Sequence, residues 1–229
     1  FYDITHELNK TVTEINEKIK SLKKNNIKYA DHIICPSNKV KVDLIDYLNI
    51  DKNKISVTYF SSDYKKISKL KLPKDKKMQN YLLYVGNRSG YKNFENLVTA
   101  YANSERLQKD FKILVFGGEK PSICGKELIL KKKLPINSFK FVNGTNKDLE
   151  YFYKNVRAFI YTSTYEGFGI PLVEAMRSGC PIITSNGGAL EEVGGSSLTY
   201  FDPFNVDEIQ KKIEDLVYSD NKLIEATIY

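Results

Sequence analysis

The sequence has no tryptophan, only two histidines, three cysteines, and no glycine before Gly86. Cys35, Cys124 and Cys180 are odd in number and far apart. That spacing excludes a disulfide framework and a zinc site built from close ligand pairs, and it reads as reduced, buried thiols in a cytosolic protein. No run approaches the ~20 apolar residues that a membrane span needs. The opening residues Phe1-Tyr2-Asp3-Ile4-Thr5-His6-Glu7 lack both an initiating Met and the basic start and apolar stretch of a signal peptide, so the chain reads as a fragment or an excised domain. Also missing is the Gly-x-Gly-x-x-Gly turn of a dinucleotide-binding dehydrogenase: the first glycine turn reads Gly86-Asn87-Arg88-Ser89-Gly90.

What is present is a 229-residue composition of the globular kind, 41% hydrophobic and 28% charged, long enough for one substantial core and a smaller partner. The net charge of +7 is local. Seven lysines (Lys65, Lys66, Lys69, Lys71, Lys74, Lys76 and Lys77) face only Asp63 and Asp75 between residues 61 and 80. No nucleic-acid-binding motif accompanies this charge, which excludes nucleic acid as the expected partner. Two readings stay open, a solvated hinge and a surface making peripheral contact with anionic lipid headgroups. The glycine asymmetry breaks at the same place, so the expected division is 1–60, a linker over 61–80, and 81–229.

Beyond the linker, Tyr81–Val85, Lys112–Phe116, Phe139–Val142, Ala158–Thr162, Pro181–Thr184 and Leu198–Phe201 read as short strands, with helical patterns between them. This alternation predicts an α/β fold, a Rossmann-like parallel sheet with helices on both faces. Gly86, Gly117-Gly118, Gly144, Gly167 and Gly187-Gly188 all follow predicted strands, and right-handed crossovers would bring them to one crevice. Before the linker, Asn9 to Tyr29 shows helical spacing of Val12, Ile15, Ile19 and Leu22. Asp31 to Ser37 reads as strand and turn with His32 inside the strand. Ser37 caps a helix through Val42, Leu44, Ile45 and Leu48, and Ile55–Tyr59 is another strand.

The densest signal is Tyr165-Glu166-Gly167-Phe168-Gly169-Ile170-Pro171-Leu172-Val173-Glu174. Pro171 suits a first helical residue and Gly179 a stop, giving a helix from Pro171 to Ser178. A strand, a glycine turn and a helix N-terminus form an anion site, because first-turn N–H groups lack carbonyl partners and the helix dipole favours negative charge. Helical side chains lean toward the N-terminus, so Glu174 reaches back toward whatever the glycines hold, while Glu166 approaches from the preceding loop. Carboxylates accept hydrogen bonds from hydroxyls, so the pattern suits a polyhydroxylated ligand carrying a diphosphate, such as a nucleotide sugar.

Together with Met176-Arg177-Ser178-Gly179-Cys180-Pro181, this segment resembles the signature of retaining glycosyltransferases of family 4, enzymes of the two-domain GT-B fold. The resemblance covers nearly the whole chain. Residues 81–229 are similar to the C-terminal, nucleotide-sugar-binding domain. The run Ala30-Asp31-His32-Ile33-Ile34-Cys35-Pro36-Ser37 and Lys54-Ile55-Ser56-Val57 are similar to the end of the N-terminal, acceptor-side domain, most of which is missing. It implies that Glu166 faces the donor sugar and Glu174 holds the ribose, with Gly167, Phe168, Gly169 and Ile170 lining the donor site. It implies that Lys92 and Arg88, after Gly86, grip the diphosphate, although Arg88 stands two positions after the glycine where many members place it directly after. Gly117 would allow close approach of the nucleotide or simply make a tight turn, and Val142 and Gly144 belong to the region that cradles the base. Ser163 and Thr164 read either as contacts to donor hydroxyls or as helix entry.

In the N-terminal piece, Tyr2-Asp3-Ile4-Thr5-His6-Glu7 resembles a stretch of a mannosyltransferase-like branch that borders the acceptor, which makes Asp3 and His6 candidates for that side. The branch often has His where this chain has Tyr2. The expected activity is hexose transfer, GDP-mannose favoured and a UDP-sugar open, to a glycan or lipid-linked acceptor with retention at the anomeric carbon. No metal or other cofactor is expected. The alternative is a nucleotide-sugar-binding module inactive on its own.

Overall fold

The computed structural model describes residues 25–27, 29–62, 76–88, 90–118 and 123–219. The stretch holding Asp3 and His6, most of the predicted Asn9–Tyr29 helix and most of the lysine-rich segment lie outside them.

Six strands form one parallel sheet: β3 (Tyr81–Val85), β4 (Lys112–Phe116), β5 (Phe139–Val142), β6 (Ala158–Tyr161), β7 (Ile182–Ser185) and β8 (Thr199–Phe201). Their order is β5-β4-β3-β6-β7-β8, all neighbours parallel. The chain builds outward from β3 to one edge, then returns to lay β6 on its other side. The carboxyl ends of β3 and β6 therefore flank a topological switch point, the position at which open α/β sheets bind ligands.

The strands read as unbroken apolar runs because both sheet faces are covered. Side chains alternate across the pleat. Leu82, Tyr84, Ile113, Val115 and Ile160 join one core with Phe94, Leu97, Val98 and Tyr101 from α2 (Phe94–Ala102) and Ile209, Ile213 and Leu216 from α8 (Val206–Tyr218). Leu83, Val85, Leu114, Phe116, Phe159 and Tyr161 join a second with Leu149 and Tyr153 from α5 (Asn146–Asn155) and Leu172 and Ala175 from α6 (Ile170–Arg177). Each fully buried large apolar side chain contributes about 1.5–3 kcal/mol. The remaining helices, α3 (Glu105–Asp110), α4 (Ile123–Lys131) and α7 (Leu190–Gly194), complete the layers.

A separate two-stranded parallel sheet pairs β1 (Ile33–Cys35) with β2 (Ile55–Val57). Helix α1 (Asn38–Leu48) lies against it, burying Val40 and Leu44 with Ile33, Cys35 and Ile55. Ser37 is its N-cap, the side chain accepting from the Val40 amide at 3.1 Å.

Several expected boundaries shift. The signature helix is Ile170–Arg177, with Gly169 as N-cap in the left-handed region (φ 93°), so Pro171 is its second residue. The strand at Ile55 ends at Val57, since the chain leaves the sheet to place Tyr59 and Phe60 on Phe168. The strand from Ala158 ends at Tyr161, because Thr162 turns its hydroxyl onto the carbonyls of Lys92 and Asn93. The last two strands begin one residue later than expected, at Ile182 and Thr199, and that from Ile182 runs on to Ser185. His32 precedes β1 instead of lying in it, exposed and bonded through Nε2 to Ser56 Oγ at 2.8 Å. The thiols of Cys35 and Cys180 are buried.

Candidate active site

The loop after β3 (Gly86–Asn93) and the loop after β6 (Thr162–Gly169) meet at the switch point. Thr164 joins them, its amide donating to the Tyr91 carbonyl at 2.7 Å and its hydroxyl at 3.3 Å. Across the join, Lys92 Nζ bonds Glu166 Oε1 at 2.7 Å and the Tyr161 hydroxyl at 3.2 Å. The Lys92 and Glu166 side chains are only 15% and 11% exposed, so the charges answer each other in a partly dehydrated place, where a charge-assisted bond is stronger than in water. The ammonium also sits 5.1 Å from the Tyr91 ring centroid and 5.2 Å from that of Tyr161. Burial and then the neighbouring Glu166 push the Tyr161 phenol well above its ordinary pKa, so it stays protonated. Gly86 (φ 128°) leads this loop against the aliphatic stem of Lys92.

The backbone of Glu166 is held by glycine. Gly188 (φ 70°) lies so close that a Cβ there would stand 2.3 Å from the Glu166 carbonyl oxygen, and the Ala189 amide donates to that oxygen at 2.8 Å. No other residue type permits this approach. Gly169 is required by its backbone (φ 93°), since the nearest atom to a Cβ there, at 2.7 Å, is the end of the movable Leu190 side chain.

Glu174, on α6, is half-buried and accepts from the Tyr153 hydroxyl at 3.4 Å. Burial raises its pKa, partly offset by that bond. It stands one turn into the helix. Ile170, at the helix start, is 44% exposed.

Arg88 does not join Lys92 on Glu166. Its Nη1 donates to the Gly117 carbonyl at 3.1 Å, and the guanidinium lies 5.5 Å from the Phe141 ring centroid, tying the loops after β3 and β4. Gly117 and Gly118 form a turn with φ 78° and 77°. Val142 packs at the edge of the second core, and Gly144 lies against the Asp148 side chain that closes the capping box of α5 with Thr145. Ser163 is fully buried. Among the described residues no group of three or more His, Cys, Asp or Glu side chains stands ready for a metal, and no helix is long and apolar enough to cross a membrane.

Sequence reasoning missed the contacts that reach this loop from the small sheet. The Ser37 hydroxyl donates to the Gly167 carbonyl at 2.6 Å, the Tyr165 hydroxyl donates to Asp43, and Phe168 lies between Tyr59 and Phe60 at centroid distances of 6.0 and 5.3 Å. Glu192 of α7 accepts from the amides of Asn38 (2.7 Å) and Lys39 (2.9 Å) and from the Tyr59 hydroxyl (2.8 Å), capping α1 from outside. One signal was available: Asp43 falls on the same stripe of α1 as Val40 and Leu44, where an acid needs a buried partner.

The family model described as glycosyl transferases group 1 matches residues 65–228. O-antigen chain mannosyltransferase B of Escherichia coli is 30% identical over 147 residues, 62% of this chain and 38% of that protein. O-antigen chain mannosyltransferase RfbU of Salmonella typhimurium is 28% identical over 199 residues, 85% of this chain and 53% of that protein. The chain thus spans about half or less of the length of these curated relatives. Among solved structures, the lipopolysaccharide glycosyltransferase WaaG aligns with a TM-score of 0.79 at 19% identity, covering 94% of this chain and 62% of that one. HepE of Anabaena, solved with UDP-glucose, aligns at 0.76 and 19%, covering 95% and 62%. The fold is that of GT-B glycosyltransferase domains, and the chain belongs to the glycosyl transferases group 1 family.

Proposed function

We propose that this chain carries the donor half of a retaining, family 4 glycosyltransferase active site, which transfers a hexose from a nucleoside-diphosphate sugar to a glycan or lipid-linked acceptor. The observation that carries the reading is the Lys92–Glu166 pair at the switch point, beside the N-terminus of α6. A nucleoside diphosphate leaving a sugar develops negative charge. Lys92, Arg88 and the positive end of the α6 dipole are fixed positive groups for it, preorganised before the donor arrives. Glu166 then faces the sugar, where the reacting centre becomes oxocarbenium-like, and Glu174 takes the ribose hydroxyls. Gly86 and Gly117 let the diphosphate and nucleoside approach the backbone, and Val142 and Gly144 border the base. Mannosyltransferases among the relatives favour GDP-mannose as donor. No metal is required in this scheme, because the cations are side chains. The residues ahead of α1 would supply the acceptor side, with Asp3 and His6 as its candidates, and the lysine-rich segment a peripheral contact with anionic lipid.

Calorimetric titration with GDP and UDP in the presence of EDTA tests this directly. GDP is expected to bind at micromolar to millimolar concentration without metal, and more tightly than UDP. Tighter UDP binding would move the donor to a UDP-sugar, and a strict requirement for Mg²⁺ or Mn²⁺ would overturn the metal-free scheme.

A further inference from the structure

The residues on either side of Glu166 are bonded to α1 and its cap. Tyr165 is buried and its hydroxyl donates to Asp43, itself only 1% exposed and paired through its other oxygen with Lys39. Gly167 gives its carbonyl to the Ser37 hydroxyl at 2.6 Å. Both partners belong to α1 and its cap, which follow β1 in the two-stranded sheet. The Glu166 carboxylate is set meanwhile by Lys92, and its carbonyl by Ala189. A buried acid on the inner stripe of a helix costs several kcal/mol unless paired. Lys39 alone is 39% exposed and would serve as a surface partner, so the second oxygen and its tyrosine need their own account.

We infer that Asp43 and Tyr165 are positioning residues for Glu166: the small sheet, through α1, sets the angle at which the carboxylate meets the donor sugar. This rests on the donor-facing role proposed for Glu166. The hydroxyl–carboxylate bond fixes the Tyr165 side chain, the Ser37 bond fixes the peptide after Glu166, and the residue between them is left one narrow range of backbone angles. Glu174 is held instead by α5 and α6, so nucleotide binding does not depend on this linkage. Displacement of a reacting group by about 1 Å costs on the order of 100-fold in turnover.

The test is a double-mutant cycle in the intact enzyme, reading GDP release from GDP-mannose, or UDP release from UDP-glucose if the titration selects UDP, together with nucleotide affinity. Tyr165→Phe removes only the hydroxyl. It is expected to lower turnover about 10- to 100-fold with nucleotide affinity within about twofold of wild type. In a Glu166→Gln background the same change is expected to add less than about twofold, because both act through one group. Asp43→Asn should reproduce Tyr165→Phe, and hydrogen exchange should quicken at the amides of Glu166 and Gly167 in both. Unchanged turnover in Tyr165→Phe, equal losses in the two backgrounds, or a parallel loss of nucleotide affinity would overturn the positioning role. Wild-type turnover in Glu166→Gln alone would instead overturn the donor-facing role and this inference with it.

Discussion

Glu174 is a carboxylate kept half out of water with one hydroxyl at 3.4 Å for company, which leaves acceptor capacity for a ligand. A hydrogen bond to a charged group is worth about 1.5–3 kcal/mol, so Glu174→Ala should weaken nucleotide binding roughly 10- to 100-fold in calorimetry while the far-UV spectrum stays unchanged. Its pKa lies above the ordinary 4.5 through burial. Ionisation is therefore lost sooner on acidification than for a solvated glutamate, and the wild-type advantage in nucleotide affinity should shrink as pH falls, beginning above 4.5. Unchanged affinity in the variant would remove Glu174 from the ribose. The two signature glutamates were legible in the sequence because a glycine turn, a helix start and their spacing all bear on one local geometry. Tyr161 was legible only as a strand residue, since nothing local says that its hydroxyl meets a lysine from the loop after β3.

At the scale of elements, α1 has no acidic residue in its first turn. Glu192 supplies one from another helix, and two backbone amides and the Tyr59 hydroxyl donate to it. Burial works to raise its pKa, but these bonds outweigh it and hold the group below 4.5. For a carboxylate whose folded pKa is depressed, the stabilisation is present above the unfolded pKa and disappears as pH falls through the folded one. A lost cap costs about 1 kcal/mol. Glu192→Ala should therefore lower Tm by about 2–4 °C near pH 7 in differential scanning calorimetry. The gap to wild type should close below pH 4.5, and a gap that persists there would exclude the capping carboxylate as its cause. The strands of the large sheet were readable almost to the residue because burial on both faces writes them as unbroken apolar runs. Strand ends in both sheets were less so. Tyr59 and Thr162 look like strand residues by composition, and only contacts with Phe168 and with the loop after β3 pull them out of register.

For the molecule as a whole, the two sheets are joined by bonds between Ser37, Asp43, Asn38 and Lys39 on one side and Gly167, Tyr165 and Glu192 on the other, and Arg177 Nη1 donates to Ser61 Oγ, beyond β2, at 2.8 Å. The bonds from Ser37 and to Asp43 are buried, where a hydrogen bond is electrostatically stronger than in water, and they couple the two sheets. Heating should thus give a single calorimetric transition in which both sheets melt together, and two resolved transitions would show that these contacts do not couple them. This joint was the least legible part of the sequence, since residues 122 positions apart carry no shared local pattern. The lysine-rich segment stands out so strongly by composition that it draws the eye to a seam between 61 and 80, whereas the bonds that matter to Glu166 cross that seam.

That crossing bears on how such enzymes can be recombined. A chimera spliced within residues 61–80, the obvious breakpoint, would keep Glu166, Glu174 and Lys92 in one parent and take Ser37 and Asp43 from the other. The side chains proposed to recognise the donor would be intact, yet the loop bearing Glu166 would be seated on a foreign helix. If the proposed roles of Glu166 and of its supports hold, the exchangeable unit begins before Ser37, and a transplant of donor preference has to carry α1 with it.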